Sequence, residues 1–247
     1  METIYRKSLL YKSGLGLYCI NHVQGCSHGC RYPCYAYMMA KSYGKTIGYA
    51  DWCQPRLVAN AEALLAKELA HKKVKPSTIH LCLSTDPFMT GYDEIIDMSL
   101  RLIALINSFD IACSVLTKGR FPSALADMSR FSTENRYTIS LISLDEDFRI
   151  KWEPGATPYA ERIAALKYLH EHGLKTQVHM EPYPTPNLIR QDLSLILDEI
   201  GFVDHIFFGG WNYNNLVKEF GQYRSFYSEQ QNKIRQFCED RNIQYAF

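Results

Sequence analysis

Three cysteines crowded into nine residues are the side chains of this sequence best suited to chemistry. Cys26, Cys30 and Cys34 lie in the run Cys-Ser-His-Gly-Cys-Arg-Tyr-Pro-Cys, after a short β-rich segment and before a helical one. Deprotonated thiols are soft, oxidisable and mutually repulsive, so a shared metal is the usual reason for such spacing. A structural zinc or an ordinary iron–sulfur cluster takes four protein ligands, whereas three ligands leave one metal position open for a substrate or cofactor.

The composition predicts an intracellular globular protein. The 247 residues are 47% hydrophobic and 21% charged, which is enough for a full core, and no linker divides them. We expect one domain over residues 1–247, with 212–247 as a C-terminal cap. No long apolar run and no signal-peptide pattern occurs, so we expect a cytoplasmic protein without a membrane association.

The charges are balanced. Lys and Arg total 27 against 26 for Asp and Glu, which gives a net charge of +1. This balance supplies no overall attraction to nucleic acid or to an anionic membrane, so a nucleic-acid partner is not favoured, although a local basic face remains open.

The hydrophobic pattern alternates strands and helices. Apolar, β-branched runs predict six strands, at residues 17–23, 77–84, 111–117, 137–143, 175–181 and 205–209. Helical periods lie between them, one over Leu57, Ala61, Leu64, Leu65 and Leu69, the other over Ile163, Leu166 and Leu169. Pro158 is a suitable start for the second helix and Gly173 a suitable stop. Strands separated by helices predict parallel pairing and an α/β fold, a partial (β/α)6 TIM-like barrel.

Several of these strands are apolar on one face and polar on the other. The polar positions are His80, Cys82, Ser84, Thr138, Ser140, Gln177, His179 and Glu181. A polar inner face indicates that the barrel encloses a ligand cavity, and the alternative is a set of individually hydrogen-bonded core groups. The active sites of such barrels lie at the carboxyl ends of the strands, where the cysteine run also falls.

The cysteine run resembles the cluster loop of radical S-adenosylmethionine enzymes, in the branch similar to spore photoproduct lyase. The resemblance covers roughly residues 17 to 215 and rests on several further motifs in order, namely Ser84-Thr-Asp-Pro87, Leu116-Thr-Lys118, Tyr137-Thr-Ile-Ser140, Glu153-Pro-Gly-Ala156, Arg162 with Gly173, and Val178-His-Met-Glu-Pro182. Radical S-adenosylmethionine proteins encoded as pairs on mobile elements are also similar. The family implies an enzyme that cleaves S-adenosylmethionine reductively at a [4Fe–4S] cluster and starts radical chemistry, here on an unknown substrate.

The same resemblance implies roles for particular residues. Cys26, Cys30 and Cys34 would bind three irons, and S-adenosylmethionine would chelate the fourth. The cofactor-binding positions would be Tyr32 near the adenine, Ser84 and Asp86 at the ammonium group, Lys118 at the carboxylate, and Ser140 at the ribose or carboxylate. His179 is added to them because it shares the inward parity with Glu181 and could touch cofactor or substrate. Cys82 shares the inward parity and could donate a hydrogen atom, or be a buried inert cysteine. No residue is assigned as catalytic.

One departure from the family is the spacing. The family pattern is Cys-x3-Cys-x2-Cys, whereas this chain has Cys-x3-Cys-x3-Cys, with Pro33 as the added residue. Proline fixes its own φ and pushes Tyr32 towards an extended conformation, so three thiolates could still reach one cluster.

Two alternative functions remain open, and the enzyme function implies several partners. A DNA photoproduct lyase is one alternative, and a zinc-binding non-enzymatic module with His22 or His28 as fourth ligand is the other. The enzyme reading implies an electron donor of the flavodoxin or ferredoxin type and an unknown substrate, and the paired subgroup implies a partner protein.

Overall fold

Four short strands precede a region in which strands and helices largely alternate in the computed structural model, which describes residues 1–247. The strands are β1 (Thr3–Ile4), β2 (Leu10–Lys12), β3 (Tyr18–Ile20), β4 (Val23–Gln24), β5 (Arg56–Val58), β6 (Thr78–Leu81), β7 (Ala112–Thr117), β8 (Arg136–Ser140), β9 (Lys175–Tyr183), β10 (His205–Gly210) and β11 (Gln244–Ala246). The helices are α1 (Tyr35–Ser42), α2 (Tyr49–Trp52), α3 (Ala61–His71), α4 (Asp93–Asn107), α5 (Glu146–Trp152), α6 (Tyr159–Glu171), α7 (Leu193–Glu199), α8 (Asn215–Glu219) and α9 (Tyr223–Arg241). None of these helices combines the length and apolar character needed to cross a membrane.

Eight strands form the main sheet, in the order β2-β3-β6-β7-β8-β9-β10-β11. The six predicted strands correspond to β3 and β6 to β10, and each neighbouring pair among them is parallel. β2 joins the β3 edge antiparallel, and β11 joins the β10 edge parallel. The predicted partial (β/α)6 barrel is confirmed, with one further strand at each edge.

A smaller sheet in the order β1-β5-β4 lies beside the main one. Leu57 belongs to its central strand and pairs with Thr3 and Val23, so the prediction that Leu57 begins a helix is wrong. That helix, α3, begins at Ala61 and buries Leu65 and Leu69 as predicted. A spacing of four residues from Leu57 to Ala61 fits a helix as well as a strand followed by a turn, so periodicity alone could not separate them.

The apolar face of the sheet packs under the helices. Ile79, Val115, Ile139, Val178 and Ile206 are fully buried, one on each of five consecutive strands. The predicted start and stop of α6 are confirmed, because Pro158 is its N-cap residue and Gly173 follows its end with a φ of 77°.

The inner face is polar, as the alternation predicts. At the level where β8 and β9 begin, its polar groups bond to one another, as His80 Nδ1 does with Ser114 Oγ at 2.9 Å. Nearer the carboxyl ends, His179 and Glu181 line a cavity. Both interpretations of the polar face are therefore correct, each for one end of the barrel.

β6 ends earlier than predicted. Its last residue is Leu81, because Cys82 has a φ of 60°, in the left-handed region that breaks an extended strand. The Cys82 N–H still donates to the Ile20 carbonyl over 2.7 Å, which extends the pairing with β3 by one bond. Beyond Cys82 the strand alternation no longer decides which way a side chain points.

The C-terminal segment runs along the open edge of the barrel. After Trp211 it forms α8, α9 and β11, and β11 pairs with β10. Asn212 and Tyr213 are the members of this segment that reach the cavity at the strand ends.

Candidate active site

A cavity of about 510 Å³ lies at the carboxyl ends of the parallel strands. All three clustered cysteines line it, and we call residues 26–34 the cysteine loop and this space the cysteine cavity. Side chains at or after the ends of three strands, β6, β7 and β9, also reach it, namely Asp86, Lys118, His179 and Glu181. The sequence thus brings its crowded thiols to the edge of the barrel where such folds place their chemistry.

The ends of the cysteine loop are fixed by neighbouring backbone. Cys26 N–H donates to the Trp52 carbonyl over 2.9 Å, and Cys34 is the N-cap residue of α1. Gly25 precedes the loop with a φ of 92°, and a Cβ there would lie only 2.7 Å from the Trp52 oxygen. Only glycine satisfies both conditions, so the entry to the loop is set by backbone geometry.

The thiols fit a metal cluster in their chemistry. Burial raises the pKa of Cys26 well above its usual value, and the nearby Asp86 carboxylate and other thiols add to the rise. Burial likewise raises the pKa of Cys30 to about 12, although the Lys118 charge opposes it. Thiolates placed here need cations to stabilise them, and bound iron supplies that charge. Three thiols on one cavity wall therefore fit a [4Fe–4S] cluster with three protein ligands.

The two histidines considered as zinc ligands are committed elsewhere. His22 is fully buried, with Nε2 2.8 Å from Ser99 Oγ and Nδ1 3.4 Å from Cys82 Sγ. His28 has Nδ1 3.2 Å from the Gly155 carbonyl and Nε2 2.9 Å from Asp86. No group of three or more His, Cys, Asp or Glu side chains is gathered tightly enough to hold a single metal ion. The structure thus supplies no fourth ligand of the kind that the zinc alternative requires.

Asp86 ties the cysteine loop to the strand ends. Its Oδ1 accepts from Phe88 N–H at 2.8 Å and from Thr117 Oγ1 at 2.7 Å, and its Oδ2 accepts from Lys118 N–H at 2.8 Å and contacts His28. The contact with His28 is a short charge contact with poor hydrogen-bond alignment. Burial alone raises the pKa of Asp86, but the His28 charge and these hydrogen bonds outweigh it and hold the pKa at about 2.

Lys118 reaches across the cavity floor. Its Nζ donates to Ser140 Oγ over 2.8 Å, lies 3.7 Å from Glu153 Oε1 and stands 5.8 Å above the Tyr32 ring centre. Burial lowers the pKa of Lys118, but the Glu153 carboxylate and the thiols outweigh burial and raise it overall. Lys118 is therefore a fixed cation at the cavity wall.

Glu153 is a site residue whose role the sequence did not predict. It is fully buried and pairs with the equally buried Arg162, whose Nη2 lies 2.9 Å from Oε2. It also accepts the Tyr32 hydroxyl hydrogen bond at 2.8 Å. Burial raises the pKa of Glu153, yet the charges of Lys118 and Arg162 and these hydrogen bonds lower it on balance. Glu153 lies after α5 in a loop without periodicity, and the only sequence signal was the motif Glu-Pro-Gly-Ala.

That loop supports the cysteine loop through its backbone. Arg31 N–H donates to the Trp152 carbonyl over 2.8 Å, and Gly155 N–H donates to the His28 carbonyl over 2.9 Å. A Cβ on Gly155 would collide with the Ser27 carbonyl oxygen. Glycine is required because the two loops pack backbone against backbone.

His179 and Glu181 form the opposite wall. His179 Nε2 lies 3.2 Å from Glu181 Oε2, and Asn212 Nδ2 donates to Glu181 Oε1 over 3.0 Å. Gly209 makes room for this carboxylate, since a Cβ there would lie 2.7 Å from the Glu181 carboxyl carbon. A polar group in the cavity therefore meets an oriented imidazole and carboxylate.

Three predicted positions do not line the cysteine cavity. Ser84 lines an adjoining cavity instead, because the turn at Cys82 points Leu83 towards the cysteines in its place. Cys82 itself is buried against His22. Ser140 is almost fully buried and meets the cavity only through Lys118.

Aromatic side chains close the cavity behind Tyr32. The Tyr32 and Trp211 rings meet edge to face at 5.4 Å, and Trp211 meets Trp152 at 5.1 Å. Such contacts favour a rigid apolar wall. Trp211 was not predicted as a site residue, because it follows β10 alone, with no neighbouring polar motif.

Comparisons with known proteins agree with this architecture. Residues 20–200 match the Radical SAM superfamily. A search of curated proteins finds no match. A spore photoproduct lyase variant with bound AdoMet and dinucleoside spore photoproduct is similar in structure, with a TM-score of 0.71 and 16% identity over 98% of this chain and 80% of that chain.

Two further structures are similar in fold. A spore photoproduct lyase complexed with dinucleoside spore photoproduct has a TM-score of 0.62 and 20% identity over 83% of this chain and 59% of that chain. The radical S-adenosylmethionine methyltransferase TsrM from Kitasatospora setae, with cobalamin and a [4Fe–4S] cluster bound, has a TM-score of 0.53 and 14% identity, over 78% of this chain and 34% of that chain. Because the family match spans most of the barrel, the chain belongs to the Radical SAM superfamily, whose enzymes use a [4Fe–4S] cluster and S-adenosylmethionine.

Proposed function

We propose that Cys26, Cys30 and Cys34 bind the [4Fe–4S] cluster and that the cysteine cavity holds S-adenosylmethionine beside it. The observation that carries this proposal is that all three thiols line one cavity together with a fixed cation and a carboxylate. When bound, the cluster supplies an electron that breaks a carbon–sulfur bond of S-adenosylmethionine and yields a radical able to abstract hydrogen.

The chain's own residues bind and orient in this scheme. Lys118 attracts the cofactor carboxylate, and Ser140 holds the Lys118 ammonium in place from 2.8 Å. Asp86 already contacts four donors within the chain, so we assign it to positioning the cysteine loop. Tyr32 lines the adenine side, and its hydroxyl is fixed by Glu153.

The far wall is assigned to substrate or cofactor hydroxyl groups. His179 and Glu181 face the cavity as a pair, and Asn212 lines it beside them with its amide bonded to Glu181. Leu83, Leu116 and Trp211 are among the apolar residues that line the remaining wall. An apolar wall excludes water, which protects a radical from side reactions.

Radical SAM enzymes need a reductant and a substrate. We propose that the reductant is a small acidic protein of the flavodoxin or ferredoxin type, because Arg31 is exposed on the cysteine loop and Lys151 is exposed in the last turn of α5, just before the loop that supports it. We place the substrate entrance where Leu15 and Tyr213, both largely exposed, meet the cavity. Only residues 212–213 of the C-terminal segment then act as a cap.

The photoproduct-lyase alternative receives no support at Cys82. A hydrogen donor must reach the product radical, and the Cys82 thiol instead contacts His22 outside the cavity. The similarity to spore photoproduct lyases is one of fold, and we leave the substrate open.

The test is anaerobic reconstitution with iron and sulfide, followed by dithionite and S-adenosylmethionine. We expect about four irons per chain and formation of 5′-deoxyadenosine. Cys30→Ala should lose both, whereas Cys53→Ala, a cysteine outside the cavity, should retain both. Iron retained in a variant lacking all three loop cysteines would overturn the assignment.

A further inference from the structure

A second cavity adjoins the cysteine cavity, on the other side of the β2–β3 hairpin tip. Its volume is about 590 Å³, and residues 6–9 and 11–14 form one of its walls. The start of α1, Trp52 and Leu83 line both cavities, so the two share a wall. At the hairpin tip, Gly14 lines the second cavity and Leu15 lines the cysteine cavity. We call this second space the basic cavity.

Its charge is of one sign. Arg6, Lys7, Lys12 and Lys45 line the basic cavity, and no Asp or Glu does. The whole chain carries a net charge of only +1, so this is a local concentration of positive charge. None of the four forms a salt bridge with a carboxylate. Unpaired cations around one concave surface attract an anion.

Arg6 is the cation of this cavity that is best suited to bind an anion. It is partly buried, and burial lowers the pKa of its guanidinium. One guanidinium nitrogen, Nη1, donates to the Asn21 carbonyl over 2.8 Å, and the other two guanidinium nitrogens have no hydrogen-bond partner in the chain. A partly desolvated guanidinium with unused donors is well suited to a phosphate, which it can bind through two hydrogen bonds.

Aromatic side chains stand at the same cavity. Tyr11, Tyr35 and Tyr43 line it and are 37%, 50% and 67% exposed. Exposed aromatic faces beside unpaired cations are the combination that stacks bases and holds their phosphates. Tyr35 directly follows Cys34 and lines both cavities, so a ligand stacked there lies next to the cysteines.

We propose that the basic cavity binds a nucleotide, with its phosphate at Arg6, Lys7 and Lys12 and its ring on the exposed tyrosines. The nucleotide is either free or part of a single strand, since both present the same chemistry. This proposal goes beyond the proposed function, because the basic cavity lies beside the proposed cluster and cofactor positions, and ligand binding to it can be measured without turnover.

The test is fluorescence anisotropy of the iron-loaded protein with a labelled single strand of about ten nucleotides, competed by AMP or by inorganic phosphate. Lys7→Glu/Lys12→Glu should weaken binding at least about tenfold and reduce its salt dependence. The control Lys73→Glu/Lys167→Glu makes the same change in net charge at two exposed lysines outside the cavity and should stay within about twofold.

The ring contribution is tested separately. Tyr43→Ala should weaken the binding of the single strand and of AMP about tenfold, while the binding of inorganic phosphate should be unchanged. Competition by AMP at micromolar concentration would identify a free nucleotide, and strand binding without such competition would identify a nucleic-acid segment. Equal losses in the two double variants, or no binding of either probe, would overturn the proposal. Circular dichroism and iron content confirm that each variant is folded.

Discussion

Tyr32 donates its hydroxyl hydrogen bond to Glu153 Oε1 over 2.8 Å, in the buried interior. Tyr32 belongs to the cysteine loop, and Glu153 belongs to the loop after α5. The same carboxylate pairs with Arg162 and lies near Lys118. One buried anion therefore links the loop that carries the thiols to the cation that faces the cavity.

Removing that anion should destabilise the protein. Glu153→Gln leaves Arg162 buried without its countercharge, so we expect the free energy of unfolding to fall by about 3–5 kcal/mol. Urea unfolding followed by circular dichroism measures it. Glu161→Gln breaks the exposed contact with Arg120 and should cost less than about 1 kcal/mol. Comparable losses in the two variants would contradict a special role for Glu153.

Asp86 should make stability depend on acid pH. Its pKa is lowered from 3.8 to about 2, because the His28 charge and hydrogen bonds outweigh burial. A carboxyl whose pKa is lower in the folded than in the unfolded chain stabilises the fold at any pH above its unfolded-state pKa. That contribution, about 2 kcal/mol, is lost as pH falls from 4 towards 2. Asp86→Asn should remove this part of the pH dependence, whereas Asp240→Asn, at an exposed site, should keep it. An unchanged profile in Asp86→Asn would show that another group titrates.

The strands were predictable because each buries an apolar row against helices. Periodicity could not place Leu57, which fits a helix by spacing but pairs with two strands. It also could not predict β11, whose three residues at the sheet edge are not fully buried. Edge strands carry little apolar pattern, since their position depends on a neighbour distant in sequence.

The site was predictable where a side chain lies on a regular strand. Lys118 and His179 reach the cysteine cavity as their strand ends implied. Ser84 does not, because the positive φ of Cys82 ends the alternation two residues earlier. Glu153 lies in a loop that is ordered by tertiary contacts with the cysteine loop, and no local pattern reports such contacts.

Lys118 should control cofactor affinity separately from iron content. Lys118→Met removes the cation proposed to hold the carboxylate, so we expect S-adenosylmethionine to bind at least about tenfold more weakly, a loss of about 1.4 kcal/mol or more. Ser140→Ala should have a smaller effect, because the Ser140 hydroxyl bonds to the Lys118 ammonium and does not line the cavity itself. Calorimetric titration of the iron-loaded protein measures both, and Lys151→Met is the matched control. Unchanged affinity in Lys118→Met would place the carboxylate elsewhere.

Gly155 should be sensitive to a single methyl group. Gly155→Ala places a Cβ against the Ser27 carbonyl, so the cysteine loop must move, at a cost of about 1–3 kcal/mol. We expect lower stability and lower iron content after reconstitution. Gly221→Ala, where no atom lies within 4 Å of the new Cβ, should change neither. Full iron content in Gly155→Ala would show that the loop adapts.

Pro33 should set the geometry between two fixed points of the cysteine loop. Tyr32 is held by Glu153, and Cys34 is the N-cap residue of α1, with its carbonyl accepting from Met38 N–H at 3.0 Å. Deleting Pro33 shortens the path between them by one residue, about 3.5 Å of chain, so one anchor must move.

Because Cys34 is fixed both by α1 and by the iron that it is proposed to bind, we expect Tyr32 to be the anchor that moves. The deletion should therefore keep iron but reduce 5′-deoxyadenosine formation about a hundredfold, as a misplacement of about 1 Å can do. Pro33→Ala retains the length of the loop and should stay within about tenfold, a change of about 1.4 kcal/mol in the barrier. Iron content and product formation are measured on the same reconstituted samples. If the deletion loses its iron while Pro33→Ala retains it, the added residue is needed to bring the three thiols to one cluster. If the deletion is as active as the parent chain, the loop tolerates either spacing and Tyr32 does not orient the cofactor.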